Sequence, residues 1–573
     1  MRFGPVALAV AATLSSTAAH AEGWLKADGT QIIDDSGKPV ILRGMGLGGW
    51  MLQEGYMLQL GEIGQQHRIR AKLAELVGEE RTANFYRAWL DNHTTRADID
   101  QMAKWGFNSV RLPIHFDQLT LPADKEPKPG EDTWLEEGFQ RIDRLLEWSK
   151  ANRIYLILDL HAAPGGQGND LAISDRDPAK PSLWASAENK RKTVAIWKKL
   201  AARYKDEPWI GAYDMINEPN WSFATPGKGN GCDETENKGI WDLQERITAA
   251  IREVDKRHIV IIEGNCWGNN YKGLPPVWDA NMAISFHKYW NRNDEASIAD
   301  ITKLRASYGR PVWLGESGEN SNVWYRDAIA LVEGEGIGWN FWPLKKIGFN
   351  QPLEIDPGPG WAKIVAWATG KGPKPYADTA YAAMMTLARS SRFDRNIPKP
   401  DVIDAMFRQP HDASNKPFIT RRLDNAPLTI RAADYDLGPA DVAYHDTIDA
   451  NYHVATGGER TPWNNGATYR NDGVDIGRGA DGAPYVTDFV TGEWMRYSAE
   501  VAKPGRWTVA ARVRSARGGR IGIDEHGVAV PPGSAWRSIK LADIDLPTGL
   551  GAATLRAIDC SDCEVESLTF TPR

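Results

Sequence analysis

Apolar runs short enough for strands alternate along most of this chain with longer stretches in which apolar residues recur every three or four positions. The runs are Val40–Met45, Phe107–Leu112, Ile154–Leu160, Trp209–Ile216, Ile259–Glu263, Ala283–Phe286, Val312–Gly315 and Gly336–Trp342. Most are continuous in aliphatic and aromatic residues, as expected of strands covered on both faces. Between them, Asp98–Trp105, Leu135–Lys150, Lys190–Tyr204 and Ile240–Lys256 carry a helical period. Such alternation predicts parallel strands joined by right-handed crossovers. Eight strands are the number that closes a (β/α)8 barrel. A doubly wound open sheet is the alternative, but the glycine-rich run Gly44–Trp50 continues into an aromatic loop instead of a helix and so lacks the context of a nucleotide fingerprint. Ahead of the first strand, Gln31–Lys38 reads as a hairpin with a Ser36-Gly37 turn, placed to plug the bottom of the barrel.

The pattern changes after Trp361. Trp361–Thr369 is expected to be the last barrel helix, and Tyr376–Ser390 and Val402–Arg408 read as further helices joined by proline-rich turns. Beyond Leu428 the chain breaks into short strand-like runs divided by Gly, Asp and Asn, which is a β-sandwich pattern. The expected fold class is therefore α/β: a (β/α)8 TIM barrel followed by an all-β sandwich (jelly-roll) module. The expected divisions are a targeting segment at 1–21, a barrel at 22–370, a helical extension and connector at 371–427, and the sandwich at 428–573.

Composition narrows the function. At 573 residues there is room for a barrel and a second unit. The net charge of −7, with no basic block, argues against a nucleic-acid or anionic-membrane partner. Arg2, the apolar run Val6–Leu14 and Ala19-His20-Ala21 have the order of an export signal, too short to span a bilayer, so export to the periplasm or the medium is expected. The 24 Trp residues divide between core and flat faces suited to stacking on pyranose rings. Four cysteines allow three pairings; we expect Cys232 with Cys266, and Cys560 with Cys563.

In a barrel the C-terminal ends of the strands form the working face. Here they carry Arg111, Asp159 and His161, then Asn217 and Glu218, Glu263, His287 and Tyr289, Glu316, and Trp342. A carboxylate at the end of a buried strand must be paired, protonated or in use, because an unpaired buried charge is costly. Two such glutamates, Glu218 and Glu316, on separate strands are what acid/base cleavage of a glycosidic bond requires. Asp159 and Glu263 read as supporting groups and are set aside from the site. The paired-ligand spacings of a zinc site are absent, so no metal and no catalytic cofactor is expected.

These motifs, Arg111-Leu112-Pro113, Asn217-Glu218-Pro219, His287-x-Tyr289, Gly315-Glu316 and Trp342, resemble glycoside hydrolase family 5 over roughly residues 40–346. The resemblance implies Glu218 as general acid/base and Glu316 as nucleophile of a retaining enzyme. It places Arg111, His161, Asn217, His287, Tyr289 and Trp342 around the substrate. The runs Leu42–Trp50 and Asp159–Gln167 look like the exo-β-1,3-glucanase and β-glucosidase branch, which implies a β-glucan polysaccharide or oligosaccharide as partner. Met45-Gly46 departs from that branch, which usually carries Val-Asn, and so does Ser317 after the nucleophile. A transglycosylase, a glycolipid glycosidase and a non-catalytic glycan-binding envelope protein are the alternatives. Trp50, Trp184, Trp221, Trp267 and Trp290 are candidate sugar platforms.

The tail resembles carbohydrate-binding module family 6, with Tyr469 and Trp536 as the implied stacking residues and Trp494 assigned to the core. Glu564 stands where that family often has a sugar-binding Asn. Three roles consequently stay open for the tail: binding sugar on another loop face, holding a structural calcium, or buttressing the barrel.

Overall fold

The computed structural model describes residues 23–448, 450–451, 463–524 and 526–573; the expected export segment lies outside them. Eight parallel strands form a closed barrel: β1 (Arg43–Gly46), β2 (Ser109–His115), β3 (Tyr155–Ala162), β4 (Ile210–Asp214), β5 (Ile259–Glu263), β6 (Met282–Lys288), β7 (Val312–Gly318) and β8 (Gly338–Trp342). All eight expected strands are present, with ends shifted by a few residues.

The pleat assigns each face its task. Leu156, Leu158 and Leu160 on β3 and Val260 and Ile262 on β5 pack outward into the core shared with the helices. Their neighbours Tyr155 and Ile157, Ala212, Ile259 and Ile261 fill the lower barrel in a separate apolar cluster. Two residues further along the same inward faces come Asp159, Asp214 and Glu263, all fully buried. The period of two thus turns the barrel interior from apolar at the base to ionic at the mouth.

The hairpin lies beneath this floor as expected, although its strands are Lys26–Asp28 and Gln31–Ile33, earlier than the sequence pattern suggested. Leu25 and Ile32 join the lower cluster. Asp34-Asp35-Ser36-Gly37 forms the next turn, in which the Asp34 carboxylate accepts from the backbone of Ser36 and Lys38.

Two helices between β1 and β2, Gln66–Val77 and Glu79–Asn92, form an addition outside the eight-unit repeat. The helix Pro359–Ala368 packs onto them through Trp361 and Ile364 instead of serving as the last barrel helix. That place is taken by Pro400–Phe407, whose Val402 and Met406 sit in the barrel-wall core.

Two further β-sheets follow. One runs Arg422–Leu423, Trp494–Val501, Gly549–Asp559, Gly519–Ile523, His526–Val530; the other Ile476–Arg478, Pro484–Phe489, Cys563–Pro572, Gly505–Ser515, Gly533–Leu546. Alternate residues of these strands, such as Val509, Ala511 and Val513, fill a shared core. Both expected disulfides are present.

Candidate active site

Arg111 sits at the centre of the ionic layer with no exposure. Its Nε donates to Asp214 (2.9 Å), Nη1 to Glu316 Oε2 (2.7 Å) and Nη2 to Asn217 Oδ1 (2.8 Å). Asp159 and Glu263 stand at 3.2 and 3.3 Å. One guanidinium cannot neutralise four buried carboxylates. Burial, with Glu263 close by, holds both Asp159 and Asp214 well above the usual carboxylate range, which favours their uncharged forms.

Glu218 lies beyond the end of β4, in a turn where its own backbone takes φ 42°, a left-handed conformation that a side chain makes unfavourable. Its N–H is held by Glu263 Oε2 at 2.7 Å, and its Oε1 by His287 Nδ1 at 2.7 Å. Burial pushes the Glu218 carboxyl up to about 7; the His287 charge opposes this and nearby Glu316 reinforces it. Burial opposes a charge on His287, but Glu263 and Glu218 prevail and keep its proton on well above the ordinary range. His287 Nε2 is 3.2 Å from Glu263 Oε1, close enough for an ion pair but not aligned for a hydrogen bond. Although buried, Glu263 is lowered to about 2 by His287 and Arg111.

Glu316, within β7, is fixed at both oxygens: Oε2 by Arg111 and Oε1 by the Tyr289 hydroxyl at 2.9 Å. One donor-capable atom from each of Glu218, His287 and Glu316 lies within 4.8 Å of the others. One oxygen of each carboxyl group thus lies within 4.8 Å of the other, nearer to the roughly 5–5.5 Å carboxyl spacing of retaining sites than to the roughly 6.5–9.5 Å of inverting ones. This is the one group of His, Cys, Asp and Glu side chains among the described residues close enough to share an ion, and His287 already spends Nδ1 on Glu218. Among the described residues no such group lies in the C-terminal sheets, so a calcium site built from them would add backbone or amide carbonyls to at most two carboxylates.

Burial lowers His161 to about 3, so the ring is neutral near pH 7. Its Nδ1–H then donates to Asp159 (2.7 Å), and Nε2 accepts from the Asn217 amide (3.1 Å). The ring stacks on Trp342 at 5.0 Å and 3°. Gly46 makes room for this: a Cβ there would stand 2.4 Å from the Trp342 ring. The glycine in the departure at Met45-Gly46 is thus matched to the tryptophan ring.

The cleft has a volume of about 520 Å3. Of the eight expected barrel-site residues, Glu218, Glu316, His161, His287, Tyr289 and Trp342 line it, while Arg111 and Asn217 are buried outside its lining. Trp267 and Trp290 also line it. Trp50, Trp184 and Trp221 are buried, the first two with their indole N–H on backbone carbonyls. Among the further lining residues, the ionisable Glu54, Tyr56, Asp170 and Glu319 escaped the sequence reading. Glu54 follows the glycine-rich run after β1, and extending the strand-end search a few residues into each loop would have found it. Glu263 was set aside, yet it holds the Glu218 backbone and the His287 ring.

A second cavity, of about 550 Å3, opens beside Trp50, Gln53, Tyr86 and His115. It is slightly the larger, but its buried carboxylate Asp175 is paired with His67 and His115 and lowered to about 2, so this carboxyl holds no proton near neutrality and has no raised carboxyl like Glu218 beside it. The chemistry points to the cleft.

The rim is tied together. The Cys232–Cys266 disulfide and the Asn265 side chain, bonded to both backbone groups of Trp221, join the loops after β4 and β5. Cys266, Trp267, Trp290 and Glu319 all have φ between 52° and 57°. Such strain persists only where surrounding contacts over-determine it, and it gathers at functional sites.

In the C-terminal sheets, Tyr469 is half-buried, donates to Asp434 and meets Phe418 edge-on. Trp536 lies edge-on to Tyr485 beneath the Arg514 guanidinium. Trp494 is half-buried under Arg556, and the core tryptophan of this unit is Trp507.

Residues 71–347 match the model of the cellulase family, glycosyl hydrolase family 5. The chain is 30% identical over 372 residues to a beta-xylosidase of Phanerodontia chrysosporium, covering 58% of this chain and 73% of that protein. It is 32% identical over 329 residues to endoglucanase C of Acetivibrio thermocellus, covering 46% and 88%. It is 28% identical over 315 residues to a probable glucan 1,3-beta-glucosidase A of Emericella nidulans, covering 52% and 71%.

Proposed function

This chain belongs to glycosyl hydrolase family 5 and is an O-glycosyl hydrolase, and we propose that it is an exported, retaining β-glucanase that cleaves β-1,3 linkages ahead of β-1,4 by double displacement. The observation that carries the mechanism is the short gap between Glu218 and Glu316, whose surroundings differ in kind. Glu316 accepts two hydrogen bonds, from Arg111 and Tyr289, and acts as the ionised nucleophile. Glu218, raised to about 7, retains a proton to give to the leaving oxygen.

Attack by Glu316 on the anomeric carbon forms a glycosyl ester as the C–O bond to the leaving sugar breaks and Glu218 delivers its proton. The ester carries no charge, so the repulsion that helped to raise Glu218 vanishes. Its carboxyl becomes more acidic when it must act as base on the incoming water. Trp342, Trp267 and Trp290 supply stacking surface.

The glucanase-like loops and the similarity to a glucan 1,3-beta-glucosidase favour β-1,3-glucan. The similarity to a beta-xylosidase puts β-xylosides in the same test panel. Glu316→Ala and Glu218→Ala should each lose several orders of magnitude in turnover, and azide should rescue the first with an inverted glycosyl azide. Full activity in either variant would remove the mechanism. Product sizing by mass spectrometry separates hydrolysis, which only shortens oligosaccharides, from transfer. For sugar binding by the C-terminal sandwich, Trp536 and Tyr469 are the side chains to replace, read out by retention on insoluble glucan.

A further inference from the structure

The turn that follows β7 beyond Glu316 packs against the C-terminal unit. Asn320, Ser321 and Asn322 are buried, and Asn322 N–H donates to the Asn471 carbonyl at 3.0 Å. The Asn322 amide donates to Asp401 (2.8 Å) and Asp472 (3.0 Å), while the Asn471 amide donates to the Asn320 carbonyl (2.9 Å). Every one of these groups is at least nine-tenths buried. The two units thus meet through a buried seam in which the polar groups satisfy one another.

Beside the seam, Trp463 is 5% exposed, and its indole N–H donates to Asn471 Oδ1 at 3.0 Å. Its ring packs against Trp290 (6.3 Å) and Phe349 (5.7 Å), in one apolar cluster with Val323 and Ala450. Trp290 lines the cleft and holds a left-handed backbone, φ 57°. The cleft wall at this point is therefore braced by a residue from the sandwich.

We propose that the C-terminal unit is a working part of the cleft, with Trp463 a positioning residue that holds Trp290 as a stacking platform for a pyranose unit next to the bond being cleaved. The unit thus acts on substrate choice from a fixed position. This rests on the hydrolase reading above and adds a residue outside the barrel to it. Trp463 touches no substrate; it acts through Trp290.

The test compares laminaritetraose, which extends beyond the reacting sugar, with β-D-glucosyl fluoride, whose leaving group is a single atom. Trp463→Ala should raise KM for the tetraose about tenfold with kcat within about threefold, and leave both constants for the fluoride within about twofold. Trp463→Phe should restore most of the KM, and Trp463→Leu serves if the alanine variant does not fold. Equal losses on both substrates, or an unchanged KM for the tetraose, would overturn the positioning role while the hydrolase reading stands. A native protein that turns over neither substrate would overturn the β-glucanase reading and this inference with it.

Discussion

Glu263 Oε2 accepts the backbone N–H of Glu218 at 2.7 Å. The same carboxylate stands within reach of both Arg111 and His287. It ties the left-handed turn that presents the acid to the two cations that tune the site. Glu263→Ala should leave the buried Glu218 N–H without its acceptor and the His287 ring with Glu218 as its remaining anionic partner, and cost about 1–3 kcal/mol of stability. Urea denaturation of the native and variant proteins measures this. Glu263→Gln keeps an acceptor for the Glu218 N–H and should cost less.

The pH behaviour follows from Glu218. Its folded-state value of about 7 is raised from 4.5. Stability tied to its neutral form is full below pH 4.5 and is lost as the pH rises through about 7. The permanently neutral Glu218→Gln should therefore match the native protein at pH 4 and exceed it at pH 8 by about 1–3 kcal/mol. Denaturation midpoints at both values check this. In the native enzyme, kcat/KM should fall about tenfold per pH unit on the alkaline side of about pH 7, as the acid loses its proton. A profile still flat at pH 9 would sink the assignment of Glu218 as the proton donor.

Gly46→Ala places a methyl 2.4 Å from the Trp342 ring. The ring must shift off His161, and displacement of a substrate floor by about 1 Å can cost about 10²-fold in kcat/KM. Steady-state kinetics should show that loss with the far-UV circular dichroism spectrum unchanged.

The Cys232–Cys266 disulfide closes a sequence separation of 34 residues and anchors the loop that carries Trp267 into the cleft. Replacing both cysteines with serine should cost about 2–4 kcal/mol. It should also raise KM more than it lowers kcat, because the loosened part is a wall of the cleft. Thermal denaturation and a Michaelis series measure the two effects.

The barrel was legible because doubly covered strands leave continuous apolar runs, and the strand ends brought Glu218, Glu316, His161, His287, Tyr289 and Trp342 together at one cleft. Glu263 reads as a supporting group, but what it supports was hidden for a physical reason. A sequence shows a carboxylate at a strand end, but not the register that aims it at a neighbour's backbone. Arg111 and Asn217 were expected around the substrate, and only the folded chain shows them bonded to one another beneath the cleft, outside its lining. The helices Gln66–Val77 and Glu79–Asn92 bury few apolar residues per turn, among them Ile69, Leu73, Phe85 and Trp89, so their periodic signal is sparse. Trp463 carries no local sign of its task, because its partners come from a different folding unit.

The hairpin under the barrel has a practical consequence for anyone wishing to attach this enzyme to a surface. Lys26 is exposed on its outer strand, at the pole opposite the substrate entrance. A resin or electrode coupled there would hold the molecule upright, with the entrance turned toward the liquid and open to insoluble glucan.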